Sequence, residues 1–588
     1  MSRLRFKNPS HPSQNLLNRA RVVWVLIICL FGILLANLFS IQILRGSEFQ
    51  EKALSQYTKT VTYTGSRGKI YTADNYLLVG NDEVYRLFVE PKNLKLSNGE
   101  LFAIIAPIVE ADPYVASISA SLQVNLGEKI DDRRDRNGVV NLLSKITRQT
   151  KDKLSELKIA GLGFDPYEVR FYPEASMAAH LIGFVGKNQD GEDTGYFGIE
   201  GALNKELQAR VGRRMVAVDA NRTPIFAGEE LAEVATNGRD LTLTIRRDIQ
   251  SLVEKELAEA MKKYGARRGE VIVSDPHTGK ILALATYPNY APENFNNYAT
   301  ALYKNPALAD TFEPGSIFKV LTVAAGIDSK VISPDTTCPK CAGPRIIDGW
   351  PIRTWNQVYN PNISMTEALE KSDNTAMVYV AELLGETRFK SYLEDFGIGQ
   401  SLGVELQEDF ATGMPTKWGA VELATRSFGQ GITVNSLQMV RAVGAVANGG
   451  WLMQPLIVES ATDPNTGEVF KTEVIPVRQV ISEQAASAVS QMMREAAKHG
   501  EAQYLYRDTN IIAGKTGTAQ VAKAGGGGYE EDETLTSFIG FAPYNNPKFL
   551  MYVKLEAPSS SPWAAETAAP LWLKIAERLF IVFNISGE

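Results

Sequence analysis

Hydrophobic residues are laid along this chain in three patterns, each predicting a different kind of element. From Val22 to Leu44 they run almost unbroken, interrupted by Gly32, Asn37, Ser40 and Gln42. That run is long enough to cross ~30 Å of hydrocarbon as a helix. Elsewhere the pattern alternates, as a half-buried strand does. Tyr85–Glu90, Tyr167–Tyr172 and Leu241–Ile245 read this way. Gly269–Ser274 and Lys280–Ala285 flank a short Gly-containing turn and predict a hairpin. Thr536–Phe541 and Phe549–Leu555, around Tyr544-Asn545-Asn546-Pro547, predict a second. The third pattern has the helical period. It covers Asp248–Tyr264 and the amphipathic Leu571–Phe583, and residues 98–160 read as mainly helical and charged. Val320–Ile327 is almost wholly apolar, which predicts a buried helix.

Several segments punctuate these elements. Arg45–Tyr57 reads as a helical stalk after the apolar run, and the charged run Asp131–Arg136 as a solvated loop. Acidic residues gather between Gly228 and Asp240, ending in the turn signal Asn237-Gly238, and mark a composition shift. We divide the chain into a tail (1–21), a membrane anchor (22–44), a mixed domain (45–235) and a second domain (236–588). A length of 588 residues is more than one core serves. The predicted fold class is α+β.

Charge places the chain across a membrane. Arg3, Arg5, Lys7, Arg19 and Arg21 precede the apolar run with no acidic residue among them. The positive-inside rule keeps that end cytoplasmic and the rest outside. A cleaved signal peptide is the competing reading. The apolar run exceeds its usual 7–15 residues, however, and no A-x-A site follows. The net charge of −6 gives no support to a nucleic-acid partner. Three cysteines and four histidines leave a zinc site without a ligand set. Cys338 and Cys341 form a local disulfide in an oxidising compartment, or remain two free thiols. Arg67 and Glu200 read as partners in a buried ion pair.

Three short motifs follow the first hairpin: Ser316-x-x-Lys319, Ser372-Asp373-Asn374 and Lys515-Thr516-Gly517. At i and i+3 on a helix, an amine reaches a hydroxyl. Burial favours the neutral amine, which can take the Ser316 proton and make a nucleophile. Alone, such a pattern is equally a helix cap with a lysine snorkelling to solvent. All three in this order are a strong signal. Ser372 and Asn374 leave a helix at Lys371, where a second hydroxyl relays a proton and an amide holds a peptide bond. Ile511–Val521 reads as a strand, with Gly514 and Gly517 leaving room for a ligand backbone. Lys515, Thr516 and Thr518 are placed to bind a carboxylate. Backbone N–H groups of Ser316 and Thr518 are the natural donors to a tetrahedral oxyanion.

With these motifs the chain resembles a class B penicillin-binding protein, a monofunctional D,D-transpeptidase of peptidoglycan synthesis. The likeness covers nearly the whole length. It includes the basic tail and anchor, Ser66–Tyr71, Arg170–Pro173, His180–Gly183, Gly198–Gly201 and Phe428–Gly431. The resemblance implies a dimerisation-type pedestal (45–235), then a transpeptidase domain whose mainly antiparallel sheet is sandwiched by helices. It makes Ser316 the acylated nucleophile, Lys319 the base, Ser372 and Asn374 the second motif, and Lys515, Thr516 and Gly517 the strand along which substrate lies. It also implies stem peptides as substrate, β-lactams as inhibitors, a membrane glycosyltransferase as partner, a plasma (inner) membrane location, and neither cofactor nor metal. A division role is favoured over elongation by association alone. The sequence departs from the family at Thr72–Tyr76, a turn, and at Val320, a packing position.

Two rivals share these motifs. A β-lactamase needs a base to activate a deacylating water. Glu408 lies at a tempting separation, but Gln407–Phe410 lacks the E-x-x-L-N pattern and a soluble enzyme has no use for an anchor and pedestal. A penicillin sensor needs an effector domain, for which the tail before Val22 is too small. The run Gly525–Gly528 reads either as a mobile loop bordering the acyl-acceptor entrance or as a passive linker.

Overall fold

A computed structural model describes residues 14–115, 119–217, 230–505, 511–522 and 528–585. Arg3, Arg5, Lys7 and Gly525–Gly527 lie outside the described residues. The apolar run forms a helix over Gln14–Phe39, continued by a π-helical turn, Ser40–Leu44. Leu17–Leu44 is long and apolar enough to cross a membrane, and none of its hydrophobic window is buried in protein. It belongs to a compact unit made of the chain up to Gly65 and Ala209–Thr236. The predicted stalk is the helix Gly46–Tyr57 in that unit. Beyond it lies a three-stranded sheet in which Val211–Ala217 pairs with both Thr58–Thr64 and Glu230–Glu233.

The second unit, Ser66–Gln208 with Asn237–Glu588, holds the motifs. Its N-terminal part is organised by one long strand, Leu77–Val89, paired antiparallel to Leu162–Phe171 and Val140–Ile146. Helices Asn98–Val109, Ala120–Asp131 and Arg148–Glu156 accompany it. Leu87, Val89, Leu101, Ile105, Ile146 and Leu154 form a core there. The strand Val140–Ile146 corrects the mainly helical reading of residues 98–160. Its buried Val140, Leu142 and Ile146 recur at even spacing, but the neighbouring helical charges mask so short an alternation. The composition shift near Asp240 does not interrupt backbone pairing. Asp240–Leu243 runs parallel to Ile70–Tyr71 and antiparallel to Val458–Thr462.

Glu200 is fully buried and bound by two guanidinium groups. Arg67 donates from Nε at 2.8 Å and Arg170 from Nε at 2.6 Å. The expected Arg67–Glu200 pair is therefore present, and Arg170 makes it a triad.

The motif-bearing region is built on a five-stranded antiparallel sheet. Its strands are β1 (Arg268–Ser274), β2 (Ile281–Tyr287), β3 (Ala513–Ala522), β4 (Tyr529–Ala542) and β5 (Phe549–Glu556), in spatial order β2-β1-β5-β4-β3. Both predicted hairpins are present as β1–β2 and β4–β5. Alternate residues enter two different cores, as the two-residue strand period requires. Val271, Val273, Met551 and Val553 pack with helices α1 (Arg247–Tyr264) and α7 (Ala568–Val582). Ile272, Leu550 and Tyr552 pack on the other face, whose core includes α2 (Lys319–Asp328), α5 (Ser436–Ala447) and α6 (Glu483–His499). The sheet is thus sandwiched by helices, as expected. Cys338 and Cys341 are buried and joined as a disulfide, which decides between the two readings of that pair.

Breaking one partner out of a buried ionic cluster costs about 3–5 kcal/mol, because the remaining charges stay desolvated. Glu200→Gln is therefore expected to lower unfolding stability by that amount in denaturant titration. Glu206→Gln, which breaks the exposed pair with Arg239, should cost under about 1 kcal/mol.

Candidate active site

The first motif starts in a tight turn. Gly315–Phe318 is a 3₁₀ turn, and the Lys319 N–H donates to the Ser316 carbonyl. The sequence reading placed both residues on an α-helix. In the tighter 3₁₀ form, positions i and i+3 eclipse each other, so Ser316 stands over Lys319. The turn is held from behind by the segment 427–434. The Gly315 N–H donates to Gly429 O at 3.1 Å, Thr322 Oγ1 donates to Ser427 O at 2.7 Å, and Gly431 N–H donates to Glu313 Oε1 at 3.0 Å. A Cβ on Gly429 would stand 2.3 Å from the Gly315 carbonyl, and its φ of +82° favours glycine. The Phe428–Gly431 motif thus packs directly behind the first.

Ser316 is half-buried, whereas Lys319 is fully buried at the start of α2. Lys319 Nζ donates to the Ser372 carbonyl at 2.6 Å and to Ser372 Oγ at 3.1 Å. Ser372 reaches it through a left-handed backbone (φ +54°) after helix α3 (Met365–Glu370). A left-handed residue is a common helix stop, and here it turns the Ser372 carbonyl and hydroxyl towards the lysine. Asp373 then caps α4 (Asn374–Leu384), accepting from Thr375 N–H and Ala376 N–H. Burial, and next the Lys515 cation, pull the Lys319 pKa down to about 7, with Glu501 and Asp373 pulling the other way.

Lys515, Thr516, Gly517 and Thr518 lie on β3, the edge strand, opposite Ile539, Phe538, Ser537 and Thr536 of β4. Lys515 is fully buried, and burial lowers its pKa against the attraction of Glu501. Its Nζ donates to Thr516 O and Oγ1, each at 3.1 Å. Thr516 Oγ1 donates to Glu501 Oε2 at 2.7 Å. A Cβ on Gly517 would stand 2.8 Å from Ile317 Cγ2 and 2.6 Å from Ser537 Oγ; one on Gly514 would stand 2.4 Å from the Phe538 ring. These glycines admit the protein's own side chains, rather than only a ligand backbone.

Lys319, Ser372, Lys515 and Thr516 are thus brought together, with the Ser316 turn packed against β3. Asn374 and Thr518 have other partners. Asn374 Nδ2 donates to Arg353 O at 2.9 Å, and Thr518 Oγ1 accepts from Ala564 N–H at 3.3 Å. Glu408 is half-buried elsewhere, its Oε1 accepting from Asn305 N–H. Sequence reasoning missed Glu501, which follows the C-terminus of α6 with no motif around it. It also missed Trp355, whose ring packs 5.2 Å from that of Trp563, next to Ala564.

Comparison with known proteins gives the family. Residues 269–577, more than half of the chain, match the penicillin binding protein transpeptidase domain. Residues 62–243 match the penicillin-binding protein dimerisation domain. The chain belongs to the penicillin-binding protein transpeptidase family. It is 27% identical over 570 residues to stage V sporulation protein D of Bacillus subtilis, spanning 95% of this chain and 85% of that one. It is 26% identical over 603 residues to the peptidoglycan D,D-transpeptidase FtsI homolog of Mesostigma viride, spanning 97% and 96%. The fold is that of penicillin binding protein 3 from Mycobacterium tuberculosis, solved with aztreonam. That likeness has a TM-score of 0.69 and 24% identity, covering 90% of this chain and 98% of that one.

Overpacking a tight contact typically costs about 1–3 kcal/mol. Gly517→Ala is expected to destabilise by that amount, by pushing Ile317 off β3. Gly444→Ala in α5, with nothing within 4 Å of the new Cβ, should be neutral or stabilising. Thermal unfolding of the two variants side by side checks the contrast.

Proposed function

We propose that this chain is a serine D,D-transpeptidase that cross-links peptidoglycan stem peptides from the outer side of the plasma membrane. The carrying observation is the fully buried Lys319 amine against Ser372, one 3₁₀ turn from the Ser316 hydroxyl. A lysine titrating near 7 is a base at neutral pH. Ser316 Oγ attacks the carbonyl of the penultimate D-Ala and gives its proton to Lys319 Nζ. Ser372 Oγ, in contact with that amine, passes a proton to the departing D-Ala nitrogen. An amine from a second stem peptide then resolves the ester.

The edge strand supplies the remaining parts. Gly315 packs against the Thr518 carbonyl, so the Thr518 peptide faces the Ser316 turn rather than β4. N–H and C=O of one residue point the same way in an antiparallel strand. The Thr518 N–H therefore joins that of Ser316 as an oxyanion donor. Lys515, Thr516 and Thr518 hold the terminal carboxylate, Gly517 keeps β3 close to the turn, and Asn374 steadies the donor peptide. The Mesostigma relative carries the name of this activity, and the aztreonam-bound relative supports β-lactams as inhibitors here. The division into pedestal (45–235) and transpeptidase domain (236–588), a cytoplasmic N-terminus and a membrane glycosyltransferase partner belong to the same proposal. Glu408, engaged with Asn305, does not support the β-lactamase alternative.

Fluorescent penicillin is expected to label the chain stably, with no label on Ser316→Ala; rapid drug turnover would instead indicate a β-lactamase. The neutral amine is the reactive form, so the labelling rate should rise about tenfold from pH 6 to 8 and level off above. Lys319→Arg, permanently charged, should lose at least about a hundredfold in rate and show no such rise.

A further inference from the structure

A pocket of about 400 Å³ opens beside the second motif, lined by Trp355, Asn360, Glu370, Lys371, Asp373, His499 and Glu501 among others. Two of these residues belong to the walls of the reaction site. Asp373 follows Ser372, and Glu501 accepts from the Thr516 hydroxyl. Three carboxylates line it, those of Glu370, Asp373 and Glu501. Its one lysine, Lys371, donates to Asn360 Oδ1 at 3.2 Å. Asp373 is 1% exposed; its Oδ1 takes Thr375 and Ala376, while its Oδ2 has no partner among the described residues. Glu370 Oε1 lies 3.9 Å from His499 Nδ1, and Glu495 Oε2 lies 3.3 Å from the same nitrogen. Burial first, and then the charges of Glu495 and Glu367 against that of His499, raise the Glu370 pKa. An incoming cation relieves that crowding.

We propose that this pocket receives the acyl acceptor, as the primary ammonium end of a second stem peptide. The inference rests on the transpeptidase reading. By microscopic reversibility, the attacking nitrogen comes to the place the departing D-Ala nitrogen has left. That D-Ala extends towards its carboxylate site at Lys515 and Thr516, so the acceptor approaches from beyond Thr516, where Glu501 stands. An amine arrives from water as ammonium, and a cleft lined with carboxylates raises its local concentration. The ammonium releases one proton to solvent. Its nitrogen then bonds to the acyl carbon, the bond from that carbon to Ser316 Oγ breaks, and the second amine proton passes through Ser372 Oγ and Lys319 Nζ to Ser316 Oγ.

The test separates the two halves of the reaction in the full-length protein in detergent. An N-benzoyl-D-alanyl thioester serves as acyl donor and Nα-acetyl-lysine amide as acceptor amine. Glu370→Gln is compared with wild type. The expected result is an aminolysis-to-hydrolysis product ratio lowered about tenfold, with penicillin labelling and transfer to uncharged methanol unchanged. An unaltered ratio would overturn the inference. So would a loss shared equally with methanol transfer, or wild-type aminolysis abolished by EDTA, which would assign the cluster to a metal ion. A wild type that takes up neither penicillin nor thioester removes the transpeptidase reading itself, a result distinct from all of these.

Discussion

A lysine amine that has lost its water is the constraint around which the rest of this site is arranged. Moving an ammonium out of water costs several kcal/mol even after relaxation. Lys319 is fully enclosed, with a second buried lysine, Lys515, raising the cost of a charge there. Among the described residues, neither is matched by a direct carboxylate. Asp373 spends Oδ1 on capping α4, and Glu501 is bound to the Thr516 hydroxyl. What touches the Lys319 amine is neutral: the carbonyl and hydroxyl of Ser372. An ion pair in that position would hold the proton on the nitrogen; neutral acceptors leave it free to come and go.

The left-handed turn at Ser372, the 3₁₀ turn at Ser316 and the glycine contact at Gly429 all serve that enclosure. Each brings backbone close where a side chain would hold it apart. The contrast lies in two buried ionic groups elsewhere, where a carboxylate meets an opposite charge directly. Glu270 meets Lys554 at 2.7 Å and accepts from Ser436 Oγ at 2.6 Å, and Glu200 meets two arginines. The ions of these two groups meet opposite charges; among the described residues, the lysines of the site do not.

Much of this was legible in the residues, for identifiable reasons. The two hairpins, the apolar α2 and the amphipathic α7 announce themselves because period and burial coincide in each. The three motifs name their own chemistry through their residue types. The short strand Val140–Ile146 was not legible, because seven residues of alternation beside charged helices carry too little signal. Gly514 and Gly517 were legible as close approaches, but which atoms approach is settled only by cross-strand register, which brings Ser537 opposite Gly517. Glu501 was not legible at all. Its role comes from where the chain re-enters β3, a tertiary fact that no local pattern records.

The triad at Glu200 bears on how the chain assembles. Its members come from far apart, Glu200 standing 133 residues from Arg67 and 30 from Arg170. Closing such loops is paid in entropy before any contact rewards it. A partly collapsed chain that buried Glu200 ahead of its distant arginine would strand a charge in a dry interior. The route of lowest cost keeps the glutamate hydrated until both arginines have arrived.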